Sequence, residues 1–257
     1  MNKKLKILSY LLIIALIGAI IVVLVYSGKK TERTNPERTQ ISIMGNNPYP
    51  MLGKDELKNM INSEIDSTEV EPNMALIENK LNKNPYIKNA EVYRSIDGGI
   101  QAQITLKEPI ARIYEKSGSS YYIDKNGEPI PLKENWTQHV MVINGEWKEP
   151  YAERVGKMHL EEWKQKSLLD DAAYLTEKIN QSSFHKALIE QIYVNADKEF
   201  ECIPILGRSS ILLGDTSNTV GKLNKLETFY REGLSYKGFN DYTQINLKYK
   251  NQIICNK

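Results

Sequence analysis

Side chains able to do covalent or acid–base chemistry are few in this chain and poorly spaced. Two Ser-x-x-Lys sequences occur, Ser27 to Lys30 and Ser183 to Lys186. That spacing lets a lysine take the proton of a nucleophilic serine. The first lies at the exit of a long apolar run, and the second has no companion motif. Ser183 and Lys186 therefore stand for a tethered serine hydrolase or peptidase only as the alternative reading. His139, His159 and His185 have no ligand-like spacing to one another or to Cys202 and Cys255, so no metal and no cofactor is expected. No G-x-S-x-G, H-E-x-x-H or phosphate-binding loop occurs. Glu161-Glu162 and Asp170-Asp171 fall on predicted helices and read as solvated faces. Trp136, Trp147 and Trp163 read as packing residues. Asn135-Trp136-Thr137 and Asn180-Gln181-Ser182 fit the glycosylation pattern, which matters only in a host that glycosylates secreted chains.

The elements that must position such residues begin with an anchor. Ile7 to Tyr26 is one uncharged apolar run, and about 20 residues at about 1.5 Å each cross a bilayer core of roughly 30 Å. The run exceeds the roughly 7–15 residues of a signal-peptide core, and no small-residue cleavage pattern follows it. An uncleaved transmembrane anchor over 7–26 is expected, behind a tail at 1–6. Lys3, Lys4 and Lys6 before the run balance Lys29, Lys30, Arg33 and Arg38 after it. The expectation of a cytoplasmic N-terminus and of C-terminal domains across the membrane rests on the short tail and the N-terminal position of the span, not on charge.

The 257 residues leave about 230 beyond the anchor, room for one large or two small domains. The net charge of +2 sits mostly around the anchor, so no nucleic-acid surface is expected. Residues 27–39 lack apolar periodicity and read as a linker.

Residues 40–108 read as a β-α-α-β-β unit. Gln40 to Met44 alternates as a short strand. Lys54 to Ile65 carries Leu57, Met60, Ile61 and Ile65 at helical spacing. Pro72 suits the first position of a second helix. Tyr86 to Arg94 is extended, and Ile100, Ala102, Ile104 and Leu106 alternate strictly with polar residues.

Residues 109–257 read as a mixed α/β domain, for an α+β fold overall. Strands are predicted at Ile110 to Tyr114, Tyr121 to Asp124, His139 to Ile143, Ile189 to Val194, Phe200 to Ile205 and Ser210 to Leu213, with a hairpin at Asn126-Gly127. Helices are predicted over Leu160 to Asn180 and Asn218 to Arg231, the second stopped by Gly233. Tyr242 to Ile254 reads as one closing strand, with Ile245, Leu247 and Tyr249 alternating against Asn246, Lys248 and Lys250. If the helix near 225 is a crossover, this strand lies beside Ser210 to Leu213. Cys202 is then about 10 Å from the closing strand, beyond the reach of a disulfide to Cys255.

Several segments resemble one family in order. Leu81-Asn82-Lys83-Asn84-Pro85-Tyr86-Ile87-Lys88-Asn89-Ala90-Glu91-Val92 resembles the strand entry of POTRA domains. Lys107-Glu108-Pro109-Ile110-Ala111 is similar to the junction after them, with Lys-Glu where an arginine is common. Tyr121-Tyr122-Ile123-Asp124-Lys125-Asn126-Gly127 is similar to the following hairpin. Tyr242-Thr243-Gln244-Ile245-Asn246-Leu247-Lys248-Tyr249 is similar to a closing Ile-Asp-Leu-Arg-Tyr strand. With the N-terminal span, the chain resembles the FtsQ/DivIB family of bacterial cell division, in its Bacteroidetes-type branch.

The resemblance implies a transmembrane anchor, a POTRA domain and a β domain ending in an edge strand. It implies a non-enzymatic scaffold of the divisome at the division site. Such a scaffold recruits FtsB- and FtsL-like bitopic partners, among other divisome components, and links septal peptidoglycan synthesis to division, with no small-molecule substrate. It also implies partner contacts at Ile245, Leu247, Lys248, Tyr249 and Lys250. A terminal strand reached through a crossover offers free N–H and C=O groups to an incoming strand. Equally, Lys248 and Lys250 can serve only to guard that edge. Lys248 stands where the family has arginine and loses the bidentate fork, and Asn246 replaces an aspartate. A POTRA-bearing assembly factor is the remaining reading, but no set of roughly ten-residue lipid-facing strands accompanies it.

Overall fold

In a computed structural model of the protein, the described residues are 13–23, 39–45, 47–65, 72–95, 98–146, 167–234 and 238–257. Residues 13–23 are helical, with Ile14, Leu16 and Val23 exposed. The rest of the predicted 7–26 span lies outside the described residues. Among those described, no helix is long and apolar enough to cross a membrane. The chain divides into two units, Met1–Thr105 and Leu106–Lys257.

The first unit has the predicted β-α-α-β-β order: β1 (Gln40–Met44), α1 (Lys54–Asn62), α2 (Met74–Asn82), β2 (Ile87–Arg94) and β3 (Ile100–Leu106). The sheet order is β1-β3-β2, with β1 parallel to β3. Helix spacing buries Leu57 and Ile61 of α1 and Ile77 and Leu81 of α2, opposite Ala90, Val92, Ile100 and Ile104 of the sheet. Pro72, expected as the first helical residue, instead precedes the cap. Asn73 Oδ1 accepts from Leu76 N at 3.1 Å as the cap, and α2 starts at Met74, two residues after Pro72. Asn82, inside the POTRA-like segment, has a definite task. Its amide takes Ala90 N at 2.9 Å and gives to Ala90 O at 3.1 Å, while Glu78 accepts from Val92 N at 3.1 Å. Side chains of α2 thus close the outer edge of β2 against a further strand.

The second unit is a nine-stranded mixed sheet. Its elements are β4 (Ala111–Tyr114), β5 (Ser120–Ile123), β6 (Pro129–Ile130), β7 (Met141–Gly145), α3 (Leu168–Asn180), α4 (Ser183–Leu188), β8 (Ile189–Val194), β9 (Phe200–Pro204), β10 (Ser210–Gly214), α5 (Thr219–Thr228), β11 (Gln244–Asn246) and β12 (Ile254–Asn256). Spatial order is β12-β11-β10-β9-β8-β7-β4-β5-β6. One cross-strand row explains the core: Tyr121, Ile113, Ile143, Ile192, Cys202, Ile211, Ile245 and Cys255, from β5 to β12. All but Cys255 are buried, beneath Leu169, Ala172, Leu175 and Ile179 of α3 and Leu223 and Leu226 of α5. Each such Leu or Ile contributes about 1.5–3 kcal/mol. The opposite face carries Tyr122, Arg112, Val142 and Gln191 in one row, mostly half-buried and largely polar. Among the described residues this second face is only partly covered, by Trp136 and Thr137 over Tyr122.

The helix expected over Leu160 to Asn180 has a sharp start at Leu168; residues 160–166 lie outside the described residues. Ser167 Oγ accepts from Asp170 N, and the Asp170 carboxylate accepts from Ser167 N at 2.9 Å, a reciprocal cap. The acid pair read as a solvated face is therefore structural: Asp170 caps α3, and Asp171 accepts from Thr216 Oγ1. The helix expected to run to Arg231 changes at Phe229 to a wider π-helical turn, Phe229–Leu234, that buries Tyr230 and Leu234.

The Asn126-Gly127 hairpin forms with Gly127 at φ 73°. Its staple is Asp124, whose Oδ1 accepts from Asn126 N at 2.9 Å and Glu128 N at 2.8 Å. Burial pushes the Asp124 carboxyl up, against the pull of those two donors. Asp124→Ala orphans both donors and is expected to lower stability by about 1–3 kcal/mol. Asp124→Asn keeps an acceptor and should cost much less, as chemical denaturation of the pair will show.

Candidate functional site

The C-terminal edge of the nine-stranded sheet collects the residues nominated by the sequence. β10 leads through α5 to β11, which lies parallel to β10 with Ser210 opposite Gln244 and Ile211 opposite Ile245. The predicted crossover is therefore present. The expected single strand from Tyr242 to Ile254 is not. It is two short strands joined by a turn, and β12 folds back antiparallel on β11, with Ile245 opposite Cys255. The ladder with β10 ends at Leu212 opposite Asn246, where β10 carries an irregularity between Leu212 and Gly214, φ +79°; Leu247 N still reaches Leu212 O at 2.9 Å.

Side chains then hold the turn. Lys225 Nζ, from α5, donates to Leu247 O at 3.1 Å and to Tyr249 O. Asn246 Oδ1 accepts from Lys248 N at 3.0 Å. The Lys248 stem crosses Gly214, where an added Cβ would lie 2.8 Å from Lys248 Cγ. Its ammonium meets Glu199 at 2.5 Å, a hydrogen bond that raises the Lys248 pKa.

The five nominated residues therefore separate. Ile245 and Leu247 are 0% exposed and belong to the core. Lys248, Tyr249 and Lys250 are exposed at the turn, Tyr249 at 47%. The outermost strand is β12, whose Ile254 and Asn256 are exposed. Lys225 and Glu199 escaped the sequence reading, because nothing local marks a lysine of one helix as the ligand of carbonyls some twenty positions on.

The preceding corner is tied by charge. Lys222, with its side chain 7% exposed, donates to Asp215 O at 2.9 Å and Asp215 Oδ1 at 2.8 Å. That bond, with a second from Ser217, holds the Asp215 carboxyl at about 2, below its ordinary 3.8. A depressed carboxylate contributes stability that is full above its unfolded value and is lost as pH falls from 3.8 through about 2. Asp215 is 75% exposed, so screening keeps the contribution below about 1 kcal/mol. Asp215→Asn should flatten this part of the acid limb in a stability–pH series and leave neutral stability lower by a similar amount.

The remaining candidates for chemistry do not assemble. Ser183 is exposed at the start of α4, and among the described residues no hydrogen bond joins it to Lys186. His185 is buried, and its Nε2 donates to Leu223 O at 2.9 Å, joining α4 to α5. His139 is exposed on a loop, and His159 lies outside the described residues. Among the described residues no group of His, Cys, Asp and Glu could hold a metal ion. Cys202 and Cys255 are free thiols. The folded-back β12 places them three strands apart in one row, about 14 Å, beyond disulfide reach. Burial, and secondarily Glu201, pushes the Cys202 thiol up to about 12.

Residues 108–256 match the family model described as FtsQ/DivIB, C-terminal related. No curated protein matches the chain.

Proposed function

The chain belongs to the FtsQ/DivIB-related family of cell-division proteins, and from that premise we propose that it is a non-catalytic divisome scaffold that captures partners by strand addition. In this reading residues 7–26 anchor it in the inner membrane, N-terminus cytoplasmic. The β-α-α-β-β unit is a POTRA domain, and the sheet domain stands in the periplasm at the division site. FtsB- and FtsL-like bitopic proteins are the partners.

The observation that carries this reading is the end of the nine-stranded sheet. β12 is its terminal strand, and no described strand pairs with the outer side. Such an edge presents backbone donors and acceptors to an incoming strand. Lys248, Tyr249 and Lys250 stand at the adjoining turn, where their side chains can select the partner. Ile245 and Leu247 contribute by fixing β11, on which β12 rests.

The test is a pull-down of an FtsB-like segment by the full chain in detergent, with proline placed in turn at Ile254, Cys255 and Asn256. Proline removes a ladder donor. Where the N–H points away from β11, binding should fall at least about tenfold with the unfolding midpoint unchanged. Full binding in all three variants rejects strand addition. Proline at Lys248 is less informative, because Lys248 N already serves Asn246.

A further inference from the structure

The second unit carries a groove of about 590 Å³ that the scaffold reading leaves unused. It runs past the starts of β4, β7 and β8, with Arg112 and Tyr114 among its walls. β4 is the sixth strand inward from β12, so this groove is far from the edge discussed above.

The electrostatics of Arg112 are unusual. Alternation along β4 puts Arg112 and Tyr114 on the open face of the sheet, and cross-strand pairing puts Tyr122 beside Arg112. The guanidinium carbon lies 4.9 Å from the Tyr114 ring centre and 5.6 Å from that of Tyr122. Its Nη2 donates to the neutral Ser120 Oγ at 3.0 Å. Its Nε is buried with no hydrogen-bond partner, and so is Oε1 of Gln138 in the same groove. Among the described residues no carboxylate pairs with Arg112 or with Lys186, which also lines the groove. Among the described residues the groove's one acid is Glu190. A cation partly removed from water and stacked on aromatic rings, with only a hydroxyl as partner, lacks the counter-charge that normally accompanies it.

The remaining wall is mixed, with Thr137, His139 and Asn180 beside a run of apolar side chains. Ile110 and Val140 are half-buried there, and Ile205 is 63% exposed. A small inorganic anion would satisfy Arg112 and leave this wall bare. A ligand that fits both features carries a carboxylate beside apolar groups. We propose that this groove binds a peptide segment presenting a carboxylate flanked by apolar side chains, with the carboxylate on Arg112. Arginine suits that task because its planar fork matches a carboxylate. Lys186 adds charge that draws the acidic segment in.

The test is a fluorescence-anisotropy titration of the full chain in detergent with a labelled peptide, Leu-Val-Glu-Leu-Val, and its glutamine counterpart. The glutamate peptide should bind at least tenfold tighter. Arg112→Met should abolish that preference, and Arg112→Lys should retain part of it. Lys186→Met should weaken the glutamate peptide several-fold. If Arg112→Met does not fold, the lysine variant and Lys186→Met decide, and a preference unchanged in both overturns the proposal. So does equal binding of the two peptides, or no binding of either. The proline variants of β12 should bind the glutamate peptide as the parent does. Loss in those variants would place the peptide at the sheet edge and overturn the groove. Strand capture of the FtsB-like segment can fail without touching this result.

Discussion

Gly145→Ala should destabilise the second unit by at least about 3 kcal/mol, more than any surface substitution in this chain. Gly145 ends β7 opposite Val194 of β8, at φ +120°. A Cβ there would lie 2.1 Å from Val194 O and 2.7 Å from Val194 N. Both are backbone atoms of a central parallel pair, so neither can swing aside as a side-chain tip would. Relief requires β7 to separate from β8, which breaks the bond from Glu146 N to Val194 O and disturbs the Lys198 contact to Glu146 O. For about 150 residues, 3 kcal/mol corresponds to a fall in midpoint of roughly 6–12 °C. Gly118→Ala is the control. Gly118 also has positive φ, +87°, but a Cβ there meets nothing within 4 Å. Its cost should be conformational only, about 1 kcal/mol. Equal midpoints for the two variants would mean that strand contact at Gly145 is not the cause.

Ile245→Ala and Leu247→Ala should each cost about 2–5 kcal/mol, whereas Tyr249→Ala and Lys250→Ala should change stability by less than about 0.5. The first two side chains are fully buried under α5, and Ile245 sits in the apolar row between Ile211 and Cys255. Truncation leaves a cavity that the sheet cannot collapse. Tyr249 and Lys250 project from the turn, and Lys225 holds the Tyr249 carbonyl whatever its side chain. Denaturant midpoints for the four variants, read beside binding of the FtsB-like segment, separate two roles. Loss of binding in the first pair follows loss of structure. Loss of binding in Tyr249→Ala or Lys250→Ala with the midpoint intact identifies a direct contact. Small midpoint changes in Ile245→Ala would contradict the placement of β11 in the core.

Much of the architecture is legible in local patterns. The alternation from Ile100 to Leu106 yields β3, and the apolar spacing in Leu57 and Ile61 yields α1. Asn126-Gly127 turns the chain between β5 and β6, and Ile189 to Val194 is the strand its composition predicts. These succeed because period and turn chemistry belong to a few neighbouring residues. The closing segment shows where this ends. Ile245, Leu247 and Tyr249 alternate as a strand should, yet the ladder ends after Asn246, where β10, thirty-odd positions earlier, becomes irregular between Leu212 and Gly214. No window of residues around 245 contains that information.

The sequence by itself determined the α+β character, the order of most elements, the crossover into the last part of the sheet and the family. Periodicity, glycine turns and motif order are properties of neighbouring residues. Only the tertiary structure decided that β12 covers β11, that Ile245 and Leu247 face the core while Lys248 to Lys250 face solvent, and that Lys225 and Glu199 pin the turn. It also brought Tyr114, Tyr122 and Ser120 around Arg112, which has no carboxylate partner among the described residues. Strand length, edge position and charge pairing depend on which distant segment arrives alongside, and that is set by packing of the whole sheet.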